Sequence, residues 1–383
     1  MFYEEYIKEN QAWIDEVWAK LDNKLSKVAV KSREKIPYTT FNGEHDDKQG
    51  KQITWWTNGF WGALMWVMYA GTENEANKAE YKATADRAEI LLDKAFEDVT
   101  LLHHDVGFMW HISSGASYQL TGNKASRNRD LLAAMTLMSR FNHKGDFIRS
   151  WNGDRNTGWT IIDCMMNIPQ LYWASKEIGD DRFAQIAKRY ADMAMEDHVR
   201  ADGSVNHIVS HSLENGDVIE TFGGQGYGVG STWTRGEAWA LYGFILTYIH
   251  TKDEKYLDVA KKIANYTIAN LAADEWLPLV DYRAPETPVL YDSTAGAISA
   301  CGLIEIAKHV PEFEKKMYIT AAIKLLKAME KKFCNWEDNE DSVLQMGTEA
   351  YHNEKTRHIP IIYGDFFFAE AMLKLKGSDF LPW

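Results

Sequence analysis

Apolar residues recur at helical spacing along almost the whole chain, and this periodicity restricts its fold more than any other feature. Strand-like alternation is scarce, and short stretches rich in Gly, Asn and Asp separate the helical segments. The pattern predicts an all-α protein. The predicted helices lie near 4–27, 58–71, 76–97, 107–121, 124–140, 160–178, 180–198, 232–252, 254–271, 292–309, 313–334 and 363–376.

The connections between these helices are of two kinds. Tight ones such as 178–181 join helices into antiparallel hairpins, whereas the long ones hold most of the Trp, His and Gly residues. Six hairpins closed into a ring, the (α/α)6 barrel, account for this alternation, and the long loops would open at one end to line a cavity. A helical-repeat solenoid is the alternative, but no sequence signature repeats with a fixed period. No Pro/Ser-rich linker divides the chain, so we expect one domain over 1–383. The long loops are 141–159, 199–231, 272–291 and 335–362.

Charge and composition exclude several classes of partner. The net charge of −13 disfavours binding to nucleic acid or to an anionic membrane. The first ten residues lack an apolar signal-peptide core, and no run of about 18 apolar residues occurs. We therefore expect a soluble, cytoplasmic protein. The three cysteines are far apart and predict neither disulfides nor a zinc site. The 15 Trp, 18 Tyr and 16 Phe favour a carbohydrate ligand, because an aromatic ring can stack on the face of a sugar.

Two segments place acids where they could act in catalysis. Asp105 follows His103 and His104 just before a predicted helix. Adjacent histidines should point in different directions, which argues against a shared metal; helix capping by Asp105 is as plausible as catalysis. Asp163 lies in a nearly continuous apolar run, where desolvation raises a carboxyl pKa towards neutrality, as a general acid requires. A buried Asp satisfied by amides or an Arg is the alternative, and Asn167, one turn later, would orient or satisfy it.

The most distinctive segment, 223–239, combines dense glycine with a following helix. Glycine lets a backbone approach a ligand closely, and Arg235 and Trp239, four apart, share one helix face. The spacing fits neither the Walker pattern nor the dinucleotide fingerprint. An Arg beside a Trp suits a carboxylated sugar, with a fork for the carboxylate and a ring for the sugar face. The alternative is an ion pair of Arg235 with Glu237 or another acid that serves packing alone.

Other candidates carry a weaker signal. Trp56 and Trp151 could be stacking platforms, although a single Trp more often belongs to the core. His207 and His211 lie in the long loop before the glycines and are titratable, but most loop histidines have no chemical role.

Taken together, these segments resemble the unsaturated glucuronyl hydrolases, glycoside hydrolase family 88, over nearly the whole chain. The resemblance implies an (α/α)6 barrel and a substrate with a Δ4,5-unsaturated uronic acid at its non-reducing end. It also implies hydration of a vinyl ether: a proton goes to C4, water adds at C5, and the hemiketal opens and releases the neighbouring sugar. The matching segments are 56–61, 103–108, 161–164, 167–169, 231–236, 292–295, 298–303 and 363–365.

On matching positions, the resemblance implies that Asp163 is the acid/base and Asp105 its essential partner. No metal or cofactor is implied. The implied substrate-binding residues are Trp56, Trp151, His207, Thr221, Gly223, Gln225, Arg235 and Trp239.

The sequence departs from the family pattern at three positions of the implied site. The family often has Asp at Asn58, His at Gly224 and Gln at Glu237, so the substrate contacts there are open. In the late loop 347–358, Lys355, Arg357 and His358 would contact a sulfate or a second carboxylate or, as we favour, belong to the solvated surface.

Three functions are compatible with the sequence. The first is release of Δ4,5-unsaturated glucuronic acid from glycosaminoglycan-type disaccharides made by lyases. The alternatives are an unsaturated rhamnogalacturonyl hydrolase acting on pectin fragments and a non-catalytic sugar-binding barrel. The segment 231–236 favours the first over pectin, and the presence of both Asp105 and Asp163 argues against a binding module.

Overall fold

The computed structural model describes residues 2–383 and contains twelve α-helices within that range. They follow the predicted positions closely for most of the chain. Their bounds are α1 (Phe2–Lys31), α2 (Phe60–Gly71), α3 (Glu75–Leu92), α4 (Ala116–Thr121), α5 (Lys124–Ser139), α6 (Pro169–Ile178), α7 (Asp181–Asp197), α8 (Thr234–Thr251), α9 (Glu254–Ala273), α10 (Ser293–His309), α11 (Glu312–Phe333) and α12 (Ile362–Leu375).

The helices form two concentric rings. In the inner ring, α2 packs against a π-helix at Gly107–Gly115, which leads into α4; the ring continues through α6, α8, α10 and α12, and α12 returns to α2. Each inner element forms a hairpin with an outer helix, and the first helix pairs with the last, α12. The inner helices are buried nearly all round, whereas α7 and α9 bury only one face. Apolar side chains therefore fill the barrel axis.

The short and the long connections lie at opposite ends of this barrel. The turns that lead from an inner to an outer helix have two or three residues, and polar side chains cap α3, α5 and α7. Asn74, Asn123 and Asp180 accept the backbone N–H of Ala76, Ala125 and Arg182 at 3.0, 3.0 and 3.1 Å. All the long loops lead from an outer helix to the start of an inner one, so they gather at one end, as the sequence predicted.

Seven short strands lie in the long connections. β1 pairs with β2, β3 with β4, and β5, β6 and β7 form an antiparallel sheet in that order. The strands are β1 (Thr40–Phe41), β2 (Glu44–His45), β3 (Phe141–Asn142), β4 (Phe147–Ile148), β5 (Trp159–Ile161), β6 (Ile208–His211) and β7 (Val218–Phe222).

The prediction of one helix over 160–178 is wrong in its first half. Residues 159–161 form β5, a 3-10 turn follows at Ile162–Met166, and α6 begins only at Pro169. Pro169 lacks a backbone N–H and therefore suits the first turn of a helix but not its interior. The partner strand β6 lies far along the chain, and the apolar run alone did not reveal it.

Two other predicted helices also differ in detail. The helix expected over 76–97 ends at Leu92 and continues as 3-10 turns to Leu101. The helix expected over 107–121 is π-helical up to Gly115. Among residues 2–383, no helix is both long and apolar enough to cross a membrane.

Candidate active site

Several side chains of the candidate site lie where the inner helices begin. Asp105 precedes the π-helix, Asp163 precedes α6, Arg235 is in the first turn of α8, and Tyr363 is in that of α12. The N-terminal ends of several inner helices thus converge, and each contributes a partial positive charge. This arrangement favours an anionic ligand despite the net charge of −13.

Two histidines hold the carboxyl group of Asp105. Oδ2 of Asp105 lies 3.2 Å from Nδ1 of His103 and 3.3 Å from Nε2 of His104. Burial by itself would raise the pKa of Asp105, but these histidines, His104 above all, outweigh it and keep the pKa well below its usual range. Asp105 is therefore ionised at neutral pH.

The expectation that His103 and His104 point apart is wrong, because the chain turns here and brings both rings to one oxygen. One ring nitrogen of His103, one ring nitrogen of His104 and one carboxylate oxygen of Asp105 lie within 4.8 Å of one another. These three side chains are the ones that would hold a metal ion. They also account for the ionisation of Asp105 without one, and the absence of a metal stays a prediction.

Asp163 has the opposite electrostatic environment. Its side chain is 13% exposed, and its Oδ1 has no hydrogen-bond partner among the described residues. Burial, and after it the negative charge of Asp105, raises the pKa of Asp163 to about 8, although Arg235 opposes the shift. Two carboxyl groups in one site therefore differ in charge at neutral pH, which is the usual sign of an acid paired with a carboxylate.

Asn167 links the segments that carry the two acids, although not as expected. Its Nδ2 donates to Oδ1 of Asp105 at 3.2 Å and to the backbone carbonyl of Asp163 at 3.3 Å. Its Oδ1 accepts the backbone N–H of Phe108 at 2.9 Å. Asn167 therefore orients Asp105 rather than the carboxyl group of Asp163.

His207 lies between Asp163 and the glycine-rich segment. Its Nδ1 accepts the backbone N–H of Gln225 at 3.1 Å, so the hydrogen of the neutral ring is on Nε2. Nε2 lies 3.7 Å from Oδ1 of Asp163. Burial and then the charge of Arg235 lower the pKa of His207 to about 3, which keeps the imidazole neutral. His207 can therefore donate a hydrogen bond towards Asp163 or a ligand.

Arg235 is fully buried but retains free donors. Its Nη1 forms an ion pair with Asp292, the N-cap of α10, and donates to the Thr348 carbonyl at 2.7 Å. Its Nη2 donates to the Glu349 carbonyl at 2.6 Å, while Nε has no partner among the described residues. Because Nη2 carries two hydrogens, Nε and Nη2 still offer one N–H each. The acid partner of Arg235 is Asp292 and not Glu237, and this ion pair leaves N–H donors on Nε and Nη2 without a partner among the described residues.

Aromatic rings surround Arg235. The guanidinium lies 4.4 Å from the ring centroid of Trp233 and 5.5 Å from that of Tyr363. Trp56 is half-buried and packs against Tyr363, with 5.1 Å between the ring centroids. Trp239 is fully buried against Phe108, with 5.0 Å between the ring centroids, so it lies beneath the rings that face the site.

The other predicted binding residues lie on the loops around this cluster. The Nε2 of Gln225 donates to the Glu349 carbonyl at 2.8 Å, which joins the glycine-rich segment to the late loop. Thr221 and Gly223 are half-buried at the end of β7. Trp151 is half-buried and follows Ser150, whose carbonyl accepts the backbone N–H of His104 at 3.2 Å.

The structure explains the three departures from the family pattern. The Nδ2 of Asn58 donates to the carbonyls of Gln52 and Ile53, both at 2.9 Å, which an ionised Asp could not do. Gly224 has φ +57°, and a Cβ there would lie 2.0 Å from Nδ1 of His207, so the ring of His207 occupies the space that a side chain would need.

Glu237 is fully buried, and burial raises its pKa well above the usual range. Neither of its carboxyl oxygens has a hydrogen-bond partner among the described residues, so burial favours the neutral form of this acid.

The late loop packs against the glycine-rich segment. The backbone N–H of Tyr351 donates to the Gln225 carbonyl at 2.8 Å, and Nε of Arg357 donates to the Tyr351 carbonyl at 2.8 Å. Nε2 of His358 accepts the backbone N–H of Tyr291 at 3.0 Å, whereas Lys355 is exposed. Arg357 thus bonds to the backbone of the late loop itself, and His358 bonds the late loop to the backbone of Tyr291.

Sequence reasoning did not identify the functional importance of Asp292, Trp233 or Tyr363. The structure shows that they hold Arg235 in place, through an ion pair and two ring faces. All three lay within segments that matched the family, but nothing in their spacing indicated contact with Arg235.

No protein-family model matches the sequence. A relative, the unsaturated glucuronyl hydrolase of Bacillus sp. (strain GL1), is 33% identical over 328 residues, which cover 84% of this chain and 86% of the relative. The chain belongs to the unsaturated glucuronyl hydrolase family. The unsaturated chondroitin disaccharide hydrolase of Streptococcus pneumoniae is 32% identical over 339 residues, 86% of this chain and 84% of that protein.

A solved UGL variant with dGlcA-Glc-Rha-Glc has a TM-score of 0.86 and 28% identity to the chain, and the match covers 94% of this chain and 97% of that one. The fold is therefore the α/α toroid of the unsaturated glucuronyl hydrolases, and the prediction of an (α/α)6 barrel is confirmed. The chain is an enzyme of this family.

Proposed function

We propose that this enzyme removes the Δ4,5-unsaturated glucuronic acid residue from the non-reducing end of lyase-generated, glycosaminoglycan-type disaccharides, by a hydration that consumes the C4=C5 double bond. The observation that carries the proposal is the pair of buried acids whose pKa values move in opposite directions, Asp163 to about 8 and Asp105 below its usual range. A neutral acid next to an ionised one can protonate a carbon and stabilise the positive charge that results.

In this proposal Asp163 acts twice. It first gives its proton to C4 of the vinyl ether, and positive charge develops at C5 and the ring oxygen. Ionised Asp105 stabilises that charge. The Asp163 carboxylate then accepts a proton from the water that adds at C5, which restores the acid. The resulting hemiketal opens and releases the neighbouring sugar, so the net reaction consumes one water.

The free donors of Arg235 are the proposed anchor for the uronate carboxylate. Nε and the remaining hydrogen of Nη2 form the fork that a carboxylate accepts in a bidentate manner. The Asp292 pair and the Trp233 and Tyr363 faces hold the guanidinium in one orientation. The Nε2–H of His207 supplies a further donor beside Asp163.

The remaining predicted residues would form the walls. Trp56 and Trp151 are half-buried and can offer ring faces to a sugar, whereas buried Trp239 would support Phe108 and Tyr363 from below. Gln225, Thr221 and Gly223 would contribute through the loop that holds His207. We extend the proposal to a single catalytic domain over 1–383; the cytoplasmic location and the absence of nucleic-acid and membrane partners stay predictions.

The test is the loss of ultraviolet absorbance of the conjugated uronate. Purified wild-type enzyme is mixed with sulfated and unsulfated unsaturated disaccharides of chondroitin or hyaluronan type, with Asp163→Asn as the inactive control. Decay with the wild type alone supports the proposal. Decay only on pectin-derived fragments would instead support a rhamnogalacturonyl hydrolase, and no decay on any substrate would overturn catalysis.

A further inference from the structure

A buried side chain of the outer helix α5 connects two elements of the inner ring. Asp130 is fully buried and accepts hydrogen bonds from Nε2 of Gln170, at 2.7 Å on its Oδ1 and at 3.2 Å on its backbone carbonyl. Its Oδ2 lies 2.9 Å from Nδ1 of His111, within hydrogen-bond distance. Gln170 belongs to α6, and His111 belongs to the π-helix Gly107–Gly115. We call His111, Asp130 and Gln170 the Asp130 bridge.

The two elements that the Asp130 bridge joins are the ones that follow the two acids of the site. Asp105 lies six residues before His111, and Asp163 lies seven residues before Gln170. The backbone N–H of Gln170 donates to the Asn167 carbonyl at 3.3 Å, and the side chain of Asn167 bonds to Asp105. The Asp130 bridge is therefore a second connection between the two acid-bearing segments, in addition to Asn167.

The packing around the Asp130 bridge is close. A Cβ on Gly115 would lie 2.6 Å from Oδ2 of Asp130 and 3.0 Å from Nδ1 of His111, so the absence of a side chain there lets the π-helix approach α5. Nε2 of His111 and Oε1 of Gln170 have no partner among the described residues, so these two side chains are held through Asp130. A π-helix of nine residues is unusually long, and the Asp130 bridge fixes it at its middle.

We propose that Asp130 is a positioning residue that sets the distance between Asp105 and Asp163. Because Asp130 is fully buried, it acts through the π-helix and α6 and not on the substrate. Proton transfer and charge stabilisation both depend on where the two carboxyl groups lie, and a displacement of about 1 Å can lower a rate a hundredfold. This inference rests on the proposed function, because it concerns the two acids of that reaction.

The first test is steady-state kinetics on an unsaturated disaccharide. Asp130→Ala should lower kcat about tenfold or more and change KM by less than about twofold, because it displaces the acids but leaves Arg235 with its own partners. Asp130→Asn should restore kcat to within about threefold of the wild type. Its amide presents an oxygen to Gln170 and a nitrogen to Nδ1 of His111, which accepts once the ring hydrogen is on Nε2.

Ser126→Ala is the matched control, because it removes a buried hydrogen bond of the same helix and keeps the Asp130 bridge. Ser126 is fully buried one turn before Asp130; its Oγ donates to Oε2 of Glu89 at 2.9 Å and lies 3.0 Å from Oγ of Ser117. Its kcat should stay within about twofold of the wild type. An undiminished kcat in Asp130→Ala, or an equal loss in Ser126→Ala at the same folded fraction, would overturn the proposal.

A second variant covers the case in which Asp130→Ala does not fold. Gln170→Leu removes only the connection to α6 and keeps the contact of Asp130 with His111. It should lower kcat about threefold or more, again with little change in KM. An unchanged kcat in this variant would overturn the proposal.

A second measurement does not depend on turnover. The backbone N–H of Phe108 donates to Oδ1 of Asn167 at 2.9 Å, so its hydrogen exchange reports whether the two acid-bearing segments stay together. Exchange of this amide, followed by mass spectrometry, should be about tenfold faster in Asp130→Ala and Gln170→Leu than in the wild type and Ser126→Ala. Unchanged exchange in both bridge variants would overturn the positioning role. Faster exchange, together with no turnover of any unsaturated substrate by the wild type, would instead mean that the proposed function fails while the Asp130 bridge stands.

Discussion

Replacing Asp163 by Asn should stabilise the protein, and the gain should grow with pH. In the folded enzyme the pKa of Asp163 is about 8, whereas in the unfolded chain an Asp has a pKa of about 3.9. Between these values the unfolded chain releases a proton that the folded protein keeps. The contribution of the Asp163 carboxyl group to the free energy of unfolding of the wild type is therefore fully present below about pH 4, and it is lost as the pH rises towards 8.

The magnitude follows from one proton per molecule. The difference in unfolding free energy between Asp163→Asn and wild type should increase by about 1.4 kcal/mol per pH unit, or about 2–3 kcal/mol between pH 5 and pH 7. Urea unfolding at several pH values measures it. The control is Asp180→Asn: Asp180 is an N-cap whose pKa is lowered by its hydrogen bond with Arg182, so its effect should not vary over this range.

A difference that stays constant from pH 5 to pH 8 would contradict the raised pKa of Asp163. Asp163 would then be ionised in the folded enzyme at neutral pH, and it could not hold the proton that the proposed reaction requires.

Further predictions concern binding, loop geometry, metal and pH. Arg235→Lys keeps a charge against Asp292 but loses the fork, so KM should rise about tenfold or more while kcat falls less in steady-state kinetics. Gly224→Ala should lower kcat/KM about tenfold and stability by roughly 1–3 kcal/mol in urea unfolding, because its Cβ would meet His207; unchanged values would contradict this geometry. Dialysis against EDTA should leave kcat unchanged, and a loss restored by Zn²⁺ would show that the cluster at Asp105 works through a metal. The rate profile kcat/KM should fall above about pH 8 as Asp163 loses its proton, whereas a plateau to pH 10 would argue against this acid.

Much of the fold could be predicted because the local signals agree. Helical periodicity, the caps Asn74, Asn123 and Asp180, and the contrast between short and long loops all favour the same ring of hairpins. The signal failed at 160–178, where β5 depends on a partner strand that begins at Ile208. Local pattern cannot distinguish a short buried strand from a helix when the hydrogen bonds come from so far along the chain.

The site shows the same limit. Asp163 could be singled out because an acid in an apolar run has few explanations. The lowered pKa of Asp105 depends on how a turn directs two histidines, and the orientation of Arg235 depends on Asp292, which is 57 residues away. Such side-chain contacts form only in the tertiary structure. The sequence therefore indicated which side chains belong to the site, but it could not predict their charge states.

The role of Asp163 as the proton donor is tested by running the reaction in D₂O and recording NMR spectra of the released uronate at early times. If Asp163 protonates the vinyl ether, the wild-type product carries one deuterium on C4, and Asp163→Asn forms no product over the same period. A released uronate without deuterium on C4, or normal turnover by Asp163→Asn, would contradict proton transfer from Asp163 to C4.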